Sequence, residues 1–383
     1  HGQLNPVFFR EPNVNLGMGD AFGRPPHMVG KQFLKEMGLK ENTPEAHAYT
    51  YLNFNKAAKQ FGRMGGMAHM KTLADSLREQ MGGRENTLML DGGDLWQGSG
   101  TSLWTRGIDM VEASNILGID VMVGHWEFTY KENEVLSNVA LFKGDFIGQN
   151  VRVKEDSLMD DGYAKLVETY DGRGLYDEDT GHAFQPYVIR EVGGARICVV
   201  GQAFPRTANA NPQEFFPDWS FGLREDDMIE LVEAIREDEK PDAIVLLSHN
   251  GMDVDVKMAE RVPGLNAVFG GHTHDGVPKP LKVKNVEGHE CLVTNAGSNG
   301  KFLGVMDFDI DGGKIKSMNY EMLPIFSEAL PADKELQAYI DQMRNTKYDK
   351  NIVESRVKKM HYNKNRLGKT FKEILDEKLA IAD

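Results

Sequence analysis

Apolar positions recur along the chain at two spacings, and the two alternate. Met67, Met70, Leu73, Leu77 and Met81 lie three to four residues apart, the spacing of an amphipathic helix. Comparable helical patterns cover Val29–Met37, stopped by Gly38, then Met110–Leu117, Lys131–Phe142, Asp226–Arg236, Val254–Arg261 and Ala332–Met343. Between them lie apolar runs of strand length: Thr87–Leu90, Asp120–Val123, Asp145–Ile147, Ala243–Leu247 and Ala267–Phe269. Tyr187–Val192 and Arg196–Val200 flank Gly193-Gly194, a hairpin signal. Beyond Phe269 the alternation stops, and Cys291–Thr294, Leu303–Ile310 and Lys314–Glu321 follow as successive strands. Alternation followed by strands predicts an α/β fold with two mixed sheets flanked by helices, not a single doubly wound sheet.

Two stretches break the pattern. Residues 1–60 carry Pro6, Pro12, Pro25, Pro26 and Pro44 and read as mostly irregular, and residues 152–182 read as an inserted polar surface loop. The expected division is a catalytic domain over 1–325, with an insertion at about 5–60, then a linker helix and connector over 326–365 leading out of it. Residues 366–383 read as the start of a further domain. The chain opens on His1 rather than methionine and stops within a helical pattern, so it is expected to be part of a longer protein. With 383 residues, 40% hydrophobic and 27% charged, disorder over most of the length is excluded. Acidic residues outnumber basic ones 58 to 44, and the net charge of −14 speaks against nucleic acid or anionic lipid as partners. No apolar run reaches membrane-spanning length, and Cys198 and Cys291 sit in apolar runs as buried thiols.

The chemistry gathers after four strands. Leu88-Met-Leu runs into Asp91-Gly-Gly-Asp94, and Val121-Met-Val into Gly124-His125-Trp126-Glu127. Val245-Leu-Leu runs into Ser248-His249-Asn250-Gly251, and Val268-Phe into Gly270-Gly271-His272-Thr273-His274. Carboxyl ends of strands line the crevice of open α/β sheets, and glycines leave room there for a ligand. With His1, these imidazoles and carboxylates exceed the needs of one tetrahedral ion. They suit two divalent cations bridged by Asp94, a pair that clamps an anion and supplies hydroxide near neutral pH. Asp91 is expected to orient its loop. His27, His47, His69, His182, His289 and His361 are expected to be non-ligands.

This ordered motif set resembles the calcineurin-like metallophosphoesterases, and among them the 5′-nucleotidase branch, from Gly62 to Pro324 and at His1. Gly65-Gly66-Met67-Ala68, Gly148-Gln149-Asn150-Val151 and Asn295–Gly304 share the likeness. The resemblance implies a four-layer α/β/β/α sandwich. It implies one ion on His1 and His274, the other on His249 and His272, with Asp94 bridging. The family also has an aspartate two positions before its first histidine, a position that precedes His1. Nucleotidases read Gly-Asn-His-Glu-Phe-Asp where this chain reads Gly124-His125-Trp126-Glu127-Phe128-Thr129. His125 thus replaces a metal-binding asparagine and is expected to serve as a ligand. Trp126 replaces the catalytic histidine and Thr129 the aspartate that orients it, and an indole transfers no proton in this pH range.

That combination is similar to the SoxB-type thiosulfohydrolases of bacterial sulfur oxidation, as are Phe9–Gly17, Gly23–His27 and Val123–Tyr130. The resemblance implies two manganese ions, a SoxYZ-type sulfur carrier as partner, and a periplasmic location. The implied reaction is release of sulfate from a cysteine S-thiosulfonate on the carrier, with Asp94 and His125 as catalytic residues. Arg10, Trp126, Tyr130 and Asn250 are candidates for substrate contact, with Trp96 and Gln97 behind them. Two alternatives stand beside it: a 5′-nucleotidase or related phosphoesterase, and a non-catalytic metal-containing protein that binds the carrier.

Overall fold

A computed structural model describes residues 2–8, 28–50, 52–159, 161–169, 177, 179–348 and 364–377. Three two-residue strands, β1 (Leu90–Asp91), β2 (Val121–Met122) and β3 (Asp145–Phe146), form one parallel sheet in that order. β4 (Val151–Val153) pairs antiparallel with β7 (Trp219–Phe221). A six-stranded sheet contains β5 (Tyr187–Val192), β6 (Ala195–Gln202), β8 (Ala243–Ser248), β9 (Ala267–Gly270), β10 (Leu281–Lys284) and β11 (Glu290–Asn295). Its order is β10-β11-β9-β8-β6-β5, parallel in the middle and antiparallel at both edges. β12 (Phe302–Asp311) and β13 (Lys314–Pro324) make a long hairpin.

The layers follow from the two-residue period of these strands. β8 is buried at every position because it has a layer on each face. Its Ile244 and Leu246 pack with Met228, Val232 and Met258 of the helices Glu225–Ala234 and Met252–Arg261. Its Ala243, Val245 and Leu247 turn the other way, onto Val121, Val123 and Ile147 of the first sheet. Behind that sheet Met122 and Phe146 pack with Met110, Val111, Val135 and Leu136 of the helices Ile108–Leu117 and Glu132–Leu141. Helix, sheet, sheet, helix is the expected four-layer sandwich. Among the described residues no helix is long and apolar enough to cross a membrane.

Three expectations need correction. Residues 28–61 hold helices at Pro44–Tyr49 and Phe54–Phe61 besides the expected one at Gly30–Met37. Pro44 starts a helix instead of breaking one: it follows Thr43, whose hydroxyl caps Ala46 N–H. These helices bury Phe33, Leu34, Ala46 and Ala48 against Phe302, Met322 and Phe326 of the hairpin region. The described part of residues 152–182 is not a surface loop. Tyr163 and Val167, one turn apart on the helix Asp161–Glu168, sink into the first core, and Trp219 Nε1 donates to Tyr163 Oη at 2.7 Å. The helix expected to lead out of the domain, Lys334–Arg344, instead docks on it through Leu336 and Ile340, and Tyr339 donates to the Asp109 carbonyl. Phe371 and Ile374 bury beside Tyr348 and Trp104.

Candidate metal centre

β1 ends at Asp91, and the chain must turn at once to pass under the loop from β8. A Cβ on Gly93 would stand 2.9 Å from the Val123 carbonyl and 3.0 Å from His249 Nδ1, so only glycine fits there. Asp91 accepts the Gly93 N–H at 2.9 Å, the orienting role expected of it. Asp94 follows in left-handed backbone at φ 65°, as do His272 at 71° and His274 at 59°. Non-glycine residues avoid that region, and such local strain concentrates at functional sites.

Glu127 fastens this loop to the one after β2. Its fully buried carboxylate accepts four backbone N–H groups: Asp94 (3.2 Å), Leu95 (2.7 Å), Trp96 (3.1 Å) and His125 (2.8 Å). Burying a carboxylate is costly unless its oxygens are hydrogen-bonded, and these four bonds offset that cost. Asp94 is thereby held facing two histidines. Its Oδ1 lies 3.1 Å from His125 Nδ1 and its Oδ2 3.3 Å from His249 Nε2, and Oδ1 also accepts Trp126 N–H at 2.9 Å. His249 pairs through Nδ1 with the Gly92 carbonyl, which turns Nε2 toward Asp94. Behind it, Asp255 Oδ1 accepts from Ser248 Oγ at 2.6 Å and from Asn250 Nδ2 at 3.3 Å, and burial pushes its carboxyl up to about 7.

The ligand nitrogens of His125, His249 and His272 gather within 4.8 Å of one another. Burial opposes charge on Asp94, but the hydrogen bonds from His125 and His249 outweigh it and hold the carboxyl far below the ordinary carboxylate range. Burial, then the neighbouring His249 and His125, bring His272 down to about 4, so its ring is neutral near pH 7 and has a lone pair to offer. His274 stands two residues on, its pKa also lowered by burial, with Asp94 and His249 near enough to act on its charge. This donor set fits a pair of divalent cations. A carboxylate whose two oxygens face different histidines is placed to bridge, and the buried His125 Nε2 has no partner among the described residues. Phe204 covers the cluster, its ring centroid 4.2 Å from those of both His125 and His272.

No family model matches the chain. Protein UshA of Yersinia enterocolitica is 26% identical over 286 residues, 68% of this chain and 48% of that protein. The 5′-nucleotidase of Rattus norvegicus is 25% identical over 73% of this chain and 47% of its own. A solved structure of the sulfate thiohydrolase SoxB from Thermus thermophilus matches at TM-score 0.74 and 33% identity, over 90% of this chain and 58% of that one. The chain has the metallophosphoesterase fold and is similar in sequence to the 5′-nucleotidase branch of the calcineurin-like phosphoesterases. It spans about half the length of the curated relatives it matches. A 5′-nucleotidase precursor structure from the same Thermus, at 24% identity and TM-score 0.62, shares the fold.

Within this phosphoesterase fold, Asp94, His125, His249 and His272 come together, with His274 beside them. His1 and Arg10 lie outside the described residues, as do His27 and His361. Gly2 is described, packed where a Cβ would meet Gln97, Ser99 and Ser102 of the loop after Asp94. His47 stacks on Phe61 and Phe326, and His69 pairs with the Leu330 carbonyl, both away from the cluster. Trp126 sits half-buried on the site, its ring 4.7 Å from that of His125. Thr129 donates back to the Trp126 carbonyl at 2.7 Å. Two candidates for substrate contact are corrected. Tyr130 is buried in the first core and donates to the Trp96 carbonyl at 3.0 Å. Asn250 spends both ends of its amide within the protein, on Gln202 Nε2 at 3.1 Å and on Asp255. Sequence reasoning gave no role to Glu127 and missed Phe204. Glu127 stood inside a quoted motif, whereas Phe204 comes from a loop with no distinguishing signal.

Proposed function

We propose that this chain carries the catalytic domain of a periplasmic thiosulfohydrolase, which releases sulfate from a cysteine S-thiosulfonate on a SoxYZ-type sulfur carrier with two manganese ions in the site. The observation that carries this reading is Trp126, an indole at the mouth of the histidine cluster where the nucleotidase pattern has a proton-transferring histidine. The 33% identity to SoxB over 90% of the chain supports it. When bound, two divalent ions hold sulfonate oxygens and make water more acidic. Asp94 and the histidines fix where those ions sit, and Glu127 keeps Asp94 in place. Phe204 and Trp126 narrow the approach and keep bulk water off the imidazoles. Water adds its oxygen to the sulfonate sulfur, the sulfur–sulfur bond breaks, and its electron pair leaves with the carrier persulfide. Two protons pass to solvent. A persulfide is acidic enough to depart as an anion, so no side chain has to protonate it, whereas an alkoxide leaving group benefits from a general acid.

The test uses the full-length protein with manganese. Carrier-bound thiosulfonate should yield sulfate by ion chromatography, while nucleoside monophosphates should yield phosphate far more slowly. Fast phosphate release without sulfate would establish instead the nucleotidase reading, which the names of the curated relatives favour. Tight carrier binding with neither product would leave a non-catalytic binding protein.

A further inference from the structure

A ligating histidine is usually turned by a hydrogen bond at its other ring nitrogen. His249 has one, from Nδ1 to the Gly92 carbonyl. His272 does not: among the described residues no group hydrogen-bonds its ring. What the ring meets instead is Phe204, stacked on it with centroids 4.2 Å apart and planes at 29°. The same phenyl lies 4.2 Å from the His125 ring and edge-on to His249 at 6.3 Å. Phe204 is half-buried and belongs to none of the apolar cores. Among the described residues every ring it touches is an imidazole of the cluster. A flat face laid on a flat face restricts rotation of His272 about χ2, the freedom that a hydrogen bond would otherwise remove.

Phe204 is itself held in place. β6 ends at Gln202, and the chain there runs against Gly148-Gln149-Asn150, which leaves β3. Gln149 N–H donates to the Gly201 carbonyl at 2.8 Å, and Gln149 Nε2 to Gln202 Oε1 at 2.7 Å. The fully buried Asn150 amide then spans Ala203. Its Oδ1 accepts Ala203 N–H and its Nδ2 donates to the Ala203 carbonyl, both at 2.8 Å. Nδ2 also donates to the Gly222 carbonyl at 2.9 Å. Phe204 follows directly. Its N–H donates to the Gly124 carbonyl at 3.2 Å, and its own carbonyl accepts from Thr207 Oγ1 at 2.7 Å. With the backbone pinned on both sides, the phenyl is delivered onto one ligand from each half of the sandwich, His125 and His272.

We propose that Phe204 is the positioning residue for His272, taking the place of the absent hydrogen bond, and that Asn150 sets Phe204 in turn. The role rests on the metal-dependent hydrolase reading but not on its sulfur substrate. In metal-free crystals of the full-length protein, wild type should show the His272 ring in one orientation. Phe204→Leu, which keeps apolar bulk but loses the flat face, should show it rotated or split. Calorimetric titration of the metal-free protein with manganese should show binding weakened about tenfold or more in Phe204→Leu, since a lost orienting partner typically costs about 10–100-fold in metal affinity. Phe204→Tyr, which keeps the ring, should bind manganese like wild type. Urea midpoints of the three metal-free proteins should stay together, because Phe204 packs into no core. Asn150→Ala should weaken manganese binding with Phe204 still present; should it not fold, Phe204→Leu carries the test alone. A His272 ring that superimposes on wild type, with wild-type manganese affinity, in Phe204→Leu overturns the proposal. Failure of the wild-type protein to release sulfate would strike the sulfur reading instead, because none of these measurements involves a substrate.

Discussion

Glu127 carries no chemistry of its own, yet four backbone donors from two loops end on it. Glu127→Ala strands those donors in a buried place and should destabilise the protein by about 3 kcal/mol or more. A urea titration reads this as a lower midpoint at unchanged slope, and metal content should drop as Asp94 loses its position. An unchanged midpoint would mean that water replaces the carboxylate at no cost. Its neighbour Trp126 allows a test of the lost proton donor. Trp126→His with Thr129→Asp should raise nucleoside monophosphate hydrolysis at least about tenfold, since a positioned acid typically contributes about 10²–10⁴. A flat result would refute that account. The histidines and Asp94 were legible in the sequence because each lies just past a strand, in a short loop that carries glycine. Glu127 and Phe204 were not, because accepting N–H groups from a distant loop, or lying across imidazoles, leaves no mark on local spacing.

At the scale of elements, the long or strongly periodic ones were legible and the small edge pieces were not. Trp219–Phe221 is three residues, and Leu281–Lys284 alternates lysine with apolar residues over only four. Neither exceeds what a loop shows by chance. The helices of residues 44–61 were hidden by Pro44, whose position after a threonine cap mattered more than its identity. Their packing covers Lys301, just ahead of β12, 2% exposed with its ammonium 5.1 Å above the Phe302 ring. Burial brings Lys301 down to about 8 from 10.5. Between those values the unfolded chain binds more protons than the folded one, so stability rises as pH climbs from about 8 to 10.5 and is penalised below 8. Lys301→Met should therefore stabilise the protein at pH 7 by about 2 kcal/mol, and its advantage over wild type should shrink toward pH 10.5. Paired urea midpoints across that range check it; a constant difference would show that the ammonium is not held at a cost.

At the scale of the whole molecule, the metal centre lies where two independently packed sheets meet. Asp94 and His125 follow strands of the three-stranded sheet, and His249, His272 and His274 follow strands of the six-stranded one. Below them the sheets are joined by apolar contacts of Val121, Val123, Val199, Val245 and Leu247. That join was legible, because odd and even positions of one buried strand must face different layers. Cations bridging the two halves bind the folded state alone, so removing them should loosen the sandwich at its upper edge. Each ion held at a hundred times its dissociation constant adds about 2.7 kcal/mol. Chelation by EDTA should thus lower the melting temperature by several degrees, and excess manganese should restore it. Asp94→Asn weakens the bridge between the halves and should melt at nearly the same temperature with and without chelator. Identical melting of the wild-type protein in EDTA and in manganese would mean that the two halves are held together by their apolar contacts alone.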